Sequence, residues 1–231
     1  MNPSTWRTYL VTQSSLSEGR PTPEIVRAAI DGGIDAVQLR DKGLEARDRY
    51  EIGLECRELT DAAGIDLIVN DRVDLARAID ADGVHLGQSD LPVAVARDLL
   101  GPDAIVGCSA STVAEATRAE ADGADYLGVG AIYGTSSKDV EKSKDGVGPD
   151  RIRDVVDAVS IPVVGIGGIT AENAGPVVRS GATGVAVISQ ITAAADPRAA
   201  TESLAEAVES ARTNDGPPGN GPAAVDRGGA R

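Results

Sequence analysis

A chain of 231 residues, 42% of them apolar, is long enough to bury one large core, yet it has no run of about twenty apolar residues to cross a membrane. A formal net charge of −14 argues against nucleic acid or an anionic membrane as partner, and with 2% aromatic residues and no Phe the stacking platform of single-strand binders is missing. Cys56 and Cys108 are the only cysteines; they form no close-spaced metal pair and fit free thiols in a reducing cytoplasm, the expected location.

In chain order, short apolar runs predict strands at Thr8–Val11, Ala36–Arg40, Leu67–Asn70, Gly83–Leu86, Ile105–Ser109, Tyr126–Gly130, Val163–Ile166 and Gly184–Ile188. Helical patterns separate them. The first runs from Pro23 to Gly32; Ile52, Cys56, Leu59 and Ala63 make an apolar stripe in the second, and Val93, Ala96 and Leu100 do so in the fourth. Asp31-Gly32-Gly33, Ala63-Gly64, Asp82-Gly83, Asp122-Gly123 and Ser180-Gly181 punctuate the returns from helix to strand, as helix caps should. Alternation of this kind implies a parallel sheet with right-handed crossovers. Repeated eight times, it points to an α/β fold, a (β/α)8 TIM barrel in one domain over residues 1–212, with an open doubly wound sheet as the alternative. Residues 213–231, rich in Gly, Pro, Asn and Ala, are expected to be a disordered and dispensable tail.

In a parallel α/β fold the chemistry sits beyond the carboxyl ends of the strands, and the unusual polar residues gather there. Gln38, Arg40 and, if the chain stays extended, Lys42 share one face of the second strand. An amide, a guanidinium and an ammonium so placed suit an anionic ligand, although a strand end surfacing into solvent would read the same way. Asp71 and Asp90 leave adjacent strands, so their carboxylates can converge on one ion. Hard oxygen ligands without His or Cys favour Mg²⁺, typically held by one or two carboxylates plus substrate phosphates. Either Asp could instead cap the helix that follows it. Gly165-Ile166-Gly167-Gly168, with Thr170 opening a helix, is similar to loops that offer backbone N–H groups to phosphate, though turns need glycine too. Thr135-Ser136-Ser137-Lys138 adds hydroxyls and a cation at the head of a long charged segment that fits either a lid or a solvated loop. His85, the sole histidine, lies inside a strand and reads as a hydrogen-bonded packing residue rather than a base. No Ser–His–Asp, Cys–His or zinc arrangement can be assembled. Lysine occurs only at positions 42, 138, 142 and 144, so the surface is acidic and lysine-poor, the composition of a protein adapted to high salt.

These motifs resemble those of the thiamine-phosphate synthase family from about Tyr9 to Ser189. They are Gln38-Leu39-Arg40-Asp41-Lys42, Val69-Asn70-Asp71, Gly83 through Asp90, Gly107-Cys108-Ser109, Thr135 through Lys138, Gly165 through Ile169 and Val187-Ile188-Ser189. The departures are Ala131 and Gly134, where the family usually has proline, and a longer charged loop around Lys142 and Lys144. The resemblance implies two small-molecule substrates, a hydroxymethylpyrimidine diphosphate and a thiazole phosphate, joined by a dissociative route with release of pyrophosphate. By the same resemblance Gln38, Leu39, Arg40, Asp41, Lys42, Asn70, Ser109 and Lys138 would hold the pyrimidine diphosphate, with Arg40, Lys42, Ser109 and Lys138 catalytic. Asp71 and Asp90 would carry Mg²⁺. Thr135, Ser136, Ser137, Gly168, Ile188 and Ser189 would hold the thiazole phosphate. A homo-oligomer is compatible with the resemblance. The rivals are a thiazole tautomerase, which needs a proton-shuttling residue, and a non-catalytic phosphate-binding barrel.

Overall fold

All eight expected strands form, and they close into a parallel barrel in a computed structural model that describes residues 2–134 and 146–213. β1 (Thr8–Val11) is followed by α1 (Thr22–Asp31), β2 (Ala36–Leu39) by α2 (Ala46–Ala63), and β3 (Asp66–Asn70) by α3 (Val73–Ala78). β4 (Gly83–Leu86), α4 (Val93–Leu100), β5 (Ile105–Ala110), α5 (Val113–Ala121) and β6 (Tyr126–Val129) continue the alternation. After the segment beyond Gly134 come α6 (Asp150–Val156), β7 (Val163–Ile166), α7 (Ala174–Arg179), β8 (Gly184–Val187), the short α8 (Ser189–Thr192) and α9 (Pro197–Thr213). Pairing of β1 with both β2 and β8 shuts the sheet, which settles the barrel against the open alternative.

Each strand is short and buried on both faces, because it serves two cores. Outward residues such as Leu10, Val37, Leu67, Val69 and Leu127 pack under the helices. Inward residues Tyr9, Val11, Ala36, Ile68, Tyr126, Val164 and Ala186 fill the barrel. Trp6 plugs the amino-terminal end, its ring 5.1 Å from Tyr9 and 4.9 Å from Tyr126, with its indole N–H donating to Asp66 at 2.8 Å. The floor is therefore sealed, and only the carboxyl-terminal mouth is left for a ligand.

The boundaries differ from the sequence reading where side chains outvote local signals. Gly64 caps α2 as expected, at φ +69°. Gly83 does not cap α3: it lies inside β4, where a Cβ would come within 1.9 Å of the Ile105 carbonyl oxygen, and the left-handed turn falls to Asp80 at φ +53°. Ala63 is exposed, so the α2 stripe ends at Leu59. Thr170 opens a turn rather than a helix; α7 starts at Ala174, with Asn173 Oδ1 accepting from the Thr170 N–H. Thr213 belongs to α9 and not to the tail, while residues 214–231 lie outside the described residues.

Candidate active site

Parallel strands deliver all their carboxyl ends to one rim, and the rim collects most of the predicted residues. Gln38, 1% exposed, points inward, and its Nε2 donates to the Tyr9 hydroxyl at 2.9 Å. Its Oε1 is buried and has no partner among the described residues. An orphaned buried carbonyl costs free energy unless a ligand supplies a donor. Leu39 is turned the other way, with its Cδ2 3.2 Å from where a Cβ on Gly53 of α2 would stand. Its side chain has no route to the mouth, so its expected part in binding can only be the backbone's. Arg40 lies half-buried at the rim, where its guanidinium donates to Gln13 Oε1 from the β1–α1 loop.

Asp41 does not behave as a ligand group. It is 1% exposed, and Oδ2 accepts from the Thr12 hydroxyl at 3.0 Å and the Thr22 hydroxyl at 2.9 Å. Oδ1 accepts from the Ser14 N–H. Its carboxylate ties the β1–α1 segment to the end of β2, so that, as for Leu39, an expected part in binding the pyrimidine diphosphate falls to its backbone. Lys42 is not on a continued strand either. The chain turns after Leu39, with the Leu44 N–H bonded to the Asp41 carbonyl at 3.1 Å, and the exposed Lys42 reaches sideways to Asp71 Oδ2 at 2.7 Å.

Asp71 and Asp90 converge as the strand order requires, and neither caps a helix. The residue capping α3 is Arg72 and that capping α4 is Pro92, both without a side-chain bond. Asp71 instead stands at φ +62°, a left-handed backbone that Asp tolerates better than most residues. Asp90 Oδ2 accepts from the Gly87 N–H at 2.7 Å, closing its own loop. The two carboxyls hydrogen-bond to one another, and their acidities separate. Burial opposes ionisation of Asp71, but the bonds from Lys42 and Asp90 outweigh it and hold the group below the usual carboxylate range. Burial first, then the neighbouring Asp71, pushes Asp90 up. Two carboxyls whose acidities are pulled apart beside a lysine form a site of hard oxygens that fits a divalent cation. Among the described residues, no group of three or more His, Cys, Asp or Glu side chains offers a rival metal site.

Asn70 is buried at the end of β3. Ser109, half-buried on β5, has its Oγ 2.9 Å from His85 Nε2, while its carbonyl accepts from Gln88 Nε2 at 2.7 Å. His85 is 5% exposed, and its Nδ1 lies 2.9 Å from the Tyr126 hydroxyl. Both ring nitrogens are thus engaged, in line with the packing role expected of it. Across the mouth, Gly168 is exposed on the loop after β7 and Ser189 at the start of α8, and Ile188 is buried. Gly167 and Gly168 have φ +104° and +63°, and Cβ atoms there would stand 2.7 Å from Ala131 and 2.6 Å from the Gly134 carbonyl oxygen. These glycines let two loops lie against each other. Thr135, Ser136, Ser137 and Lys138, with Lys142 and Lys144, lie outside the described residues.

Sequence reasoning missed Gln13, Tyr9 and Tyr126. Tyr9 and Tyr126 line, with Gln38, His85 and Ser109, a small cavity of about 20 Å³ at the centre of the barrel, walled by Val164 and Ile166.

Residues 8–191 match the family model described as thiamine monophosphate synthase. The chain is 63% identical over 206 residues to a thiamine-phosphate synthase of Natronomonas pharaonis, covering 89% of this chain and 96% of that one. The chain belongs to the thiamine monophosphate synthase family. A thiamine-phosphate synthase of Haloarcula marismortui is 59% identical, with 90% of this chain and 99% of that one covered. Among solved structures, a thiamine phosphate pyrophosphorylase from Pyrococcus furiosus superimposes with a TM-score of 0.82 at 41% identity, over 90% of this chain and 98% of that one. The protein is accordingly a transferase of thiamine biosynthesis, with thiamine-phosphate synthase function. No helix of the described residues is long and apolar enough to cross a membrane.

Proposed function

We propose that this thiamine-phosphate synthase transfers the methylene of a hydroxymethylpyrimidine diphosphate to the nitrogen of a thiazole phosphate, giving thiamine phosphate and pyrophosphate with Mg²⁺ bound at Asp71 and Asp90. The observation that carries this reading is the pairing of a neutral polar floor with a charged rim. Gln38 and Ser109 line a small cavity on the barrel axis, while Lys42, Asp71 and Asp90 meet at the carboxyl ends of the strands.

The donor set fits Mg²⁺. Both side chains offer hard oxygens, they touch each other, and substrate phosphates would fill the remaining positions. When bound, the ion supplies positive charge to the diphosphate oxygens. The chain's own residues do the rest. Gln38 and Ser109 hold the pyrimidine ring by its polar edge. Arg40 and Lys42 lie where charge accumulates on the diphosphate as its bond to the methylene carbon breaks, and a fixed cation there lowers the barrier more than it tightens ground-state binding. By family resemblance Lys138 adds a third cation. Departure before capture suits this inventory, because the thiazole nitrogen is already nucleophilic and needs no base. His85, buried with both nitrogens engaged, is not placed to act as one. That arrangement also disfavours the tautomerase, which must move a proton. Val164 and Ile166 offer no donor or nucleophile to the methylene cation, so the thiazole nitrogen meets little competition.

One incubation tests the proposal. Purified protein with both substrates and Mg²⁺ should release thiamine phosphate and pyrophosphate in equal amounts, and chelation should abolish both. Pyrophosphate without thiamine phosphate, or turnover indifferent to chelator, would overturn it.

A further inference from the structure

Four buried polar side chains and the half-buried Ser109 run in one hydrogen-bonded line through the barrel. Gln38 Nε2 is 2.9 Å from the Tyr9 hydroxyl, which is 3.0 Å from the Tyr126 hydroxyl. Tyr126 is 2.9 Å from His85 Nδ1, and His85 Nε2 is 2.9 Å from Ser109 Oγ. The line draws on β2, β1, β6, β4 and β5, and the strands are shaped to seat it. A Cβ on Gly107 would stand 2.2 Å from the Tyr126 ring, and one on Gly128 would stand 2.9 Å from His85 Cε1. In a chain with four tyrosines and one histidine, two of those tyrosines and the histidine are committed here.

A hydroxyl has one proton to give, and so has a neutral imidazole. Donation along the line therefore has a single direction. With Gln38 Nε2 donating to Tyr9, Tyr9 donates to Tyr126, and Tyr126 donates to His85 Nδ1. The imidazole proton then sits on Nε2 and is given to Ser109 Oγ, leaving the serine O–H free for a ligand. Gln38 meanwhile shows the ligand its unpartnered Oε1. Turning the amide over reverses every bond, so that Gln38 shows N–H and Ser109 shows a lone pair. In neither state can both ends present a donor.

Resting on the pyrimidine reading above, we propose that Tyr9, Tyr126 and His85 are positioning residues of a polarity-coupled relay that makes Gln38 an acceptor and Ser109 a donor together. The relay selects a heteroaromatic edge carrying one donor beside one acceptor, as an amino group next to a ring nitrogen does. It rejects an edge with two acceptors, because one end must then face its like.

The test compares the binding of two diphosphates, measured by calorimetry without thiazole phosphate: the aminopyrimidine and its analogue with methoxy in place of amino. Wild type should prefer the amino compound strongly. In Tyr126→Phe and, separately, Tyr9→Phe, Gln38 and Ser109 are uncoupled, so the preference should fall by about tenfold or more, the scale of one buried pair left unsatisfied. If the hydroxyls serve only packing, both affinities shift together; an unchanged ratio in both variants overturns the proposal. A second measurement needs no variant. His85 is the only histidine, so the ¹⁵N signals of its ring are unambiguous. With the aminopyrimidine diphosphate bound, the proton should sit on Nε2; a proton on Nδ1, or on both nitrogens, overturns the assigned direction. Failure of wild type to make thiamine phosphate from both substrates would sink the pyrimidine reading instead, and the two failures are thus told apart.

Discussion

Asp71 separates backbone from charge, and two substitutions read them out. Its φ of +62° is left-handed. Asn tolerates that region nearly as well as Asp, whereas Ala there costs about 1–2 kcal/mol. The ion pair with Lys42 adds little to folding: the lysine side chain is 53% exposed, and pairs of that kind contribute about 0–1 kcal/mol. In a domain of this size 1 kcal/mol moves the melting temperature by about 2–4 °C. Asp71→Asn should therefore lower Tm by less than about 4 °C, and Asp71→Ala by roughly 2–12 °C, the two costs added. Activity should not follow that order. Both variants lose the same charge beside Asp90, so pyrophosphate release at fixed Mg²⁺ should fall about a hundredfold or more in each, on the scale of one preorganised group removed. Raising Mg²⁺ should recover part of it, because Asp90 remains as a ligand. The assay is a thermal melt paired with steady-state pyrophosphate release across a Mg²⁺ series. A large loss of stability in the Asn variant, with a wild-type Mg²⁺ dependence, would show that the carboxylate holds the loop and no ion.

Burial pushes the Asp66 carboxyl above its ordinary range, against the bond from Trp6, so the folded state binds that proton more tightly than the unfolded state does. Its ionisation then opposes folding as pH rises from about 4, and Asp66→Asn should gain on wild type over that window in paired melts; a flat or inverted difference removes the argument. Carboxylate repulsion on a chain of net charge −14 should make Tm climb with KCl, as the Debye length shrinks from about 10 Å at 0.1 M to about 3 Å at 1 M. A level or falling curve would end the high-salt reading. Gly107→Ala drives a methyl into the buried Tyr126 ring and should cost about 1–3 kcal/mol, hence roughly 2–12 °C. Gly43→Ala, with nothing within 4 Å, should leave Tm alone; equal effects would mean that the barrel yields at Gly107. Lys138→Ala should lower kcat by about a hundredfold with KM little changed if the lysine meets charge growing on the diphosphate; a rise in KM alone would assign it to uniform binding.

The strands were legible because a parallel barrel buries both faces of every strand, which leaves short apolar runs between amphipathic helices. Their ends were less so. Asp82-Gly83 looks like a helix cap, but Gly83 answers to the Ile105 carbonyl on the neighbouring strand, a contact no local pattern reveals. Asp41 sits among residues expected to bind ligand and yet is taken up by Thr12 and Ser14, 29 and 27 residues earlier, and by Thr22 at the start of α1. The rim residues announced themselves as polar groups where apolar strands stop. The floor did not: Tyr9 and Tyr126 are separated by 117 residues, and each alone reads as a core aromatic. Two signals were available. Tyrosine is scarce in this chain, and Gly107 and Gly128 interrupt strands that need no turn. Glycine inside a strand marks a close approach, and here the approach is by the two rings of the relay.

The division between floor and rim suits what the proposed reaction would ask of water and charge. A methylene cation survives only where nothing nucleophilic but the thiazole nitrogen can reach it, which argues for a floor without free bases, ions or loose hydroxyls. Recognising a pyrimidine nonetheless takes polar groups. A line of neutral hydrogen bonds meets both demands, because its internal protons are all engaged and only its two ends, Gln38 and Ser109, are left to meet a ligand. The charged groups, Arg40 and Lys42 with Asp71 and Asp90, are kept at the mouth, where the diphosphate of the proposed reaction would leave. Moving one of them down to the floor would pull the cation's counter-charge off the diphosphate and leave a buried ion unpaired. The barrel enforces the separation: inward side chains of alternate strands stack in layers, so Gln38 within β2 and Arg40 just past its end fall at different depths.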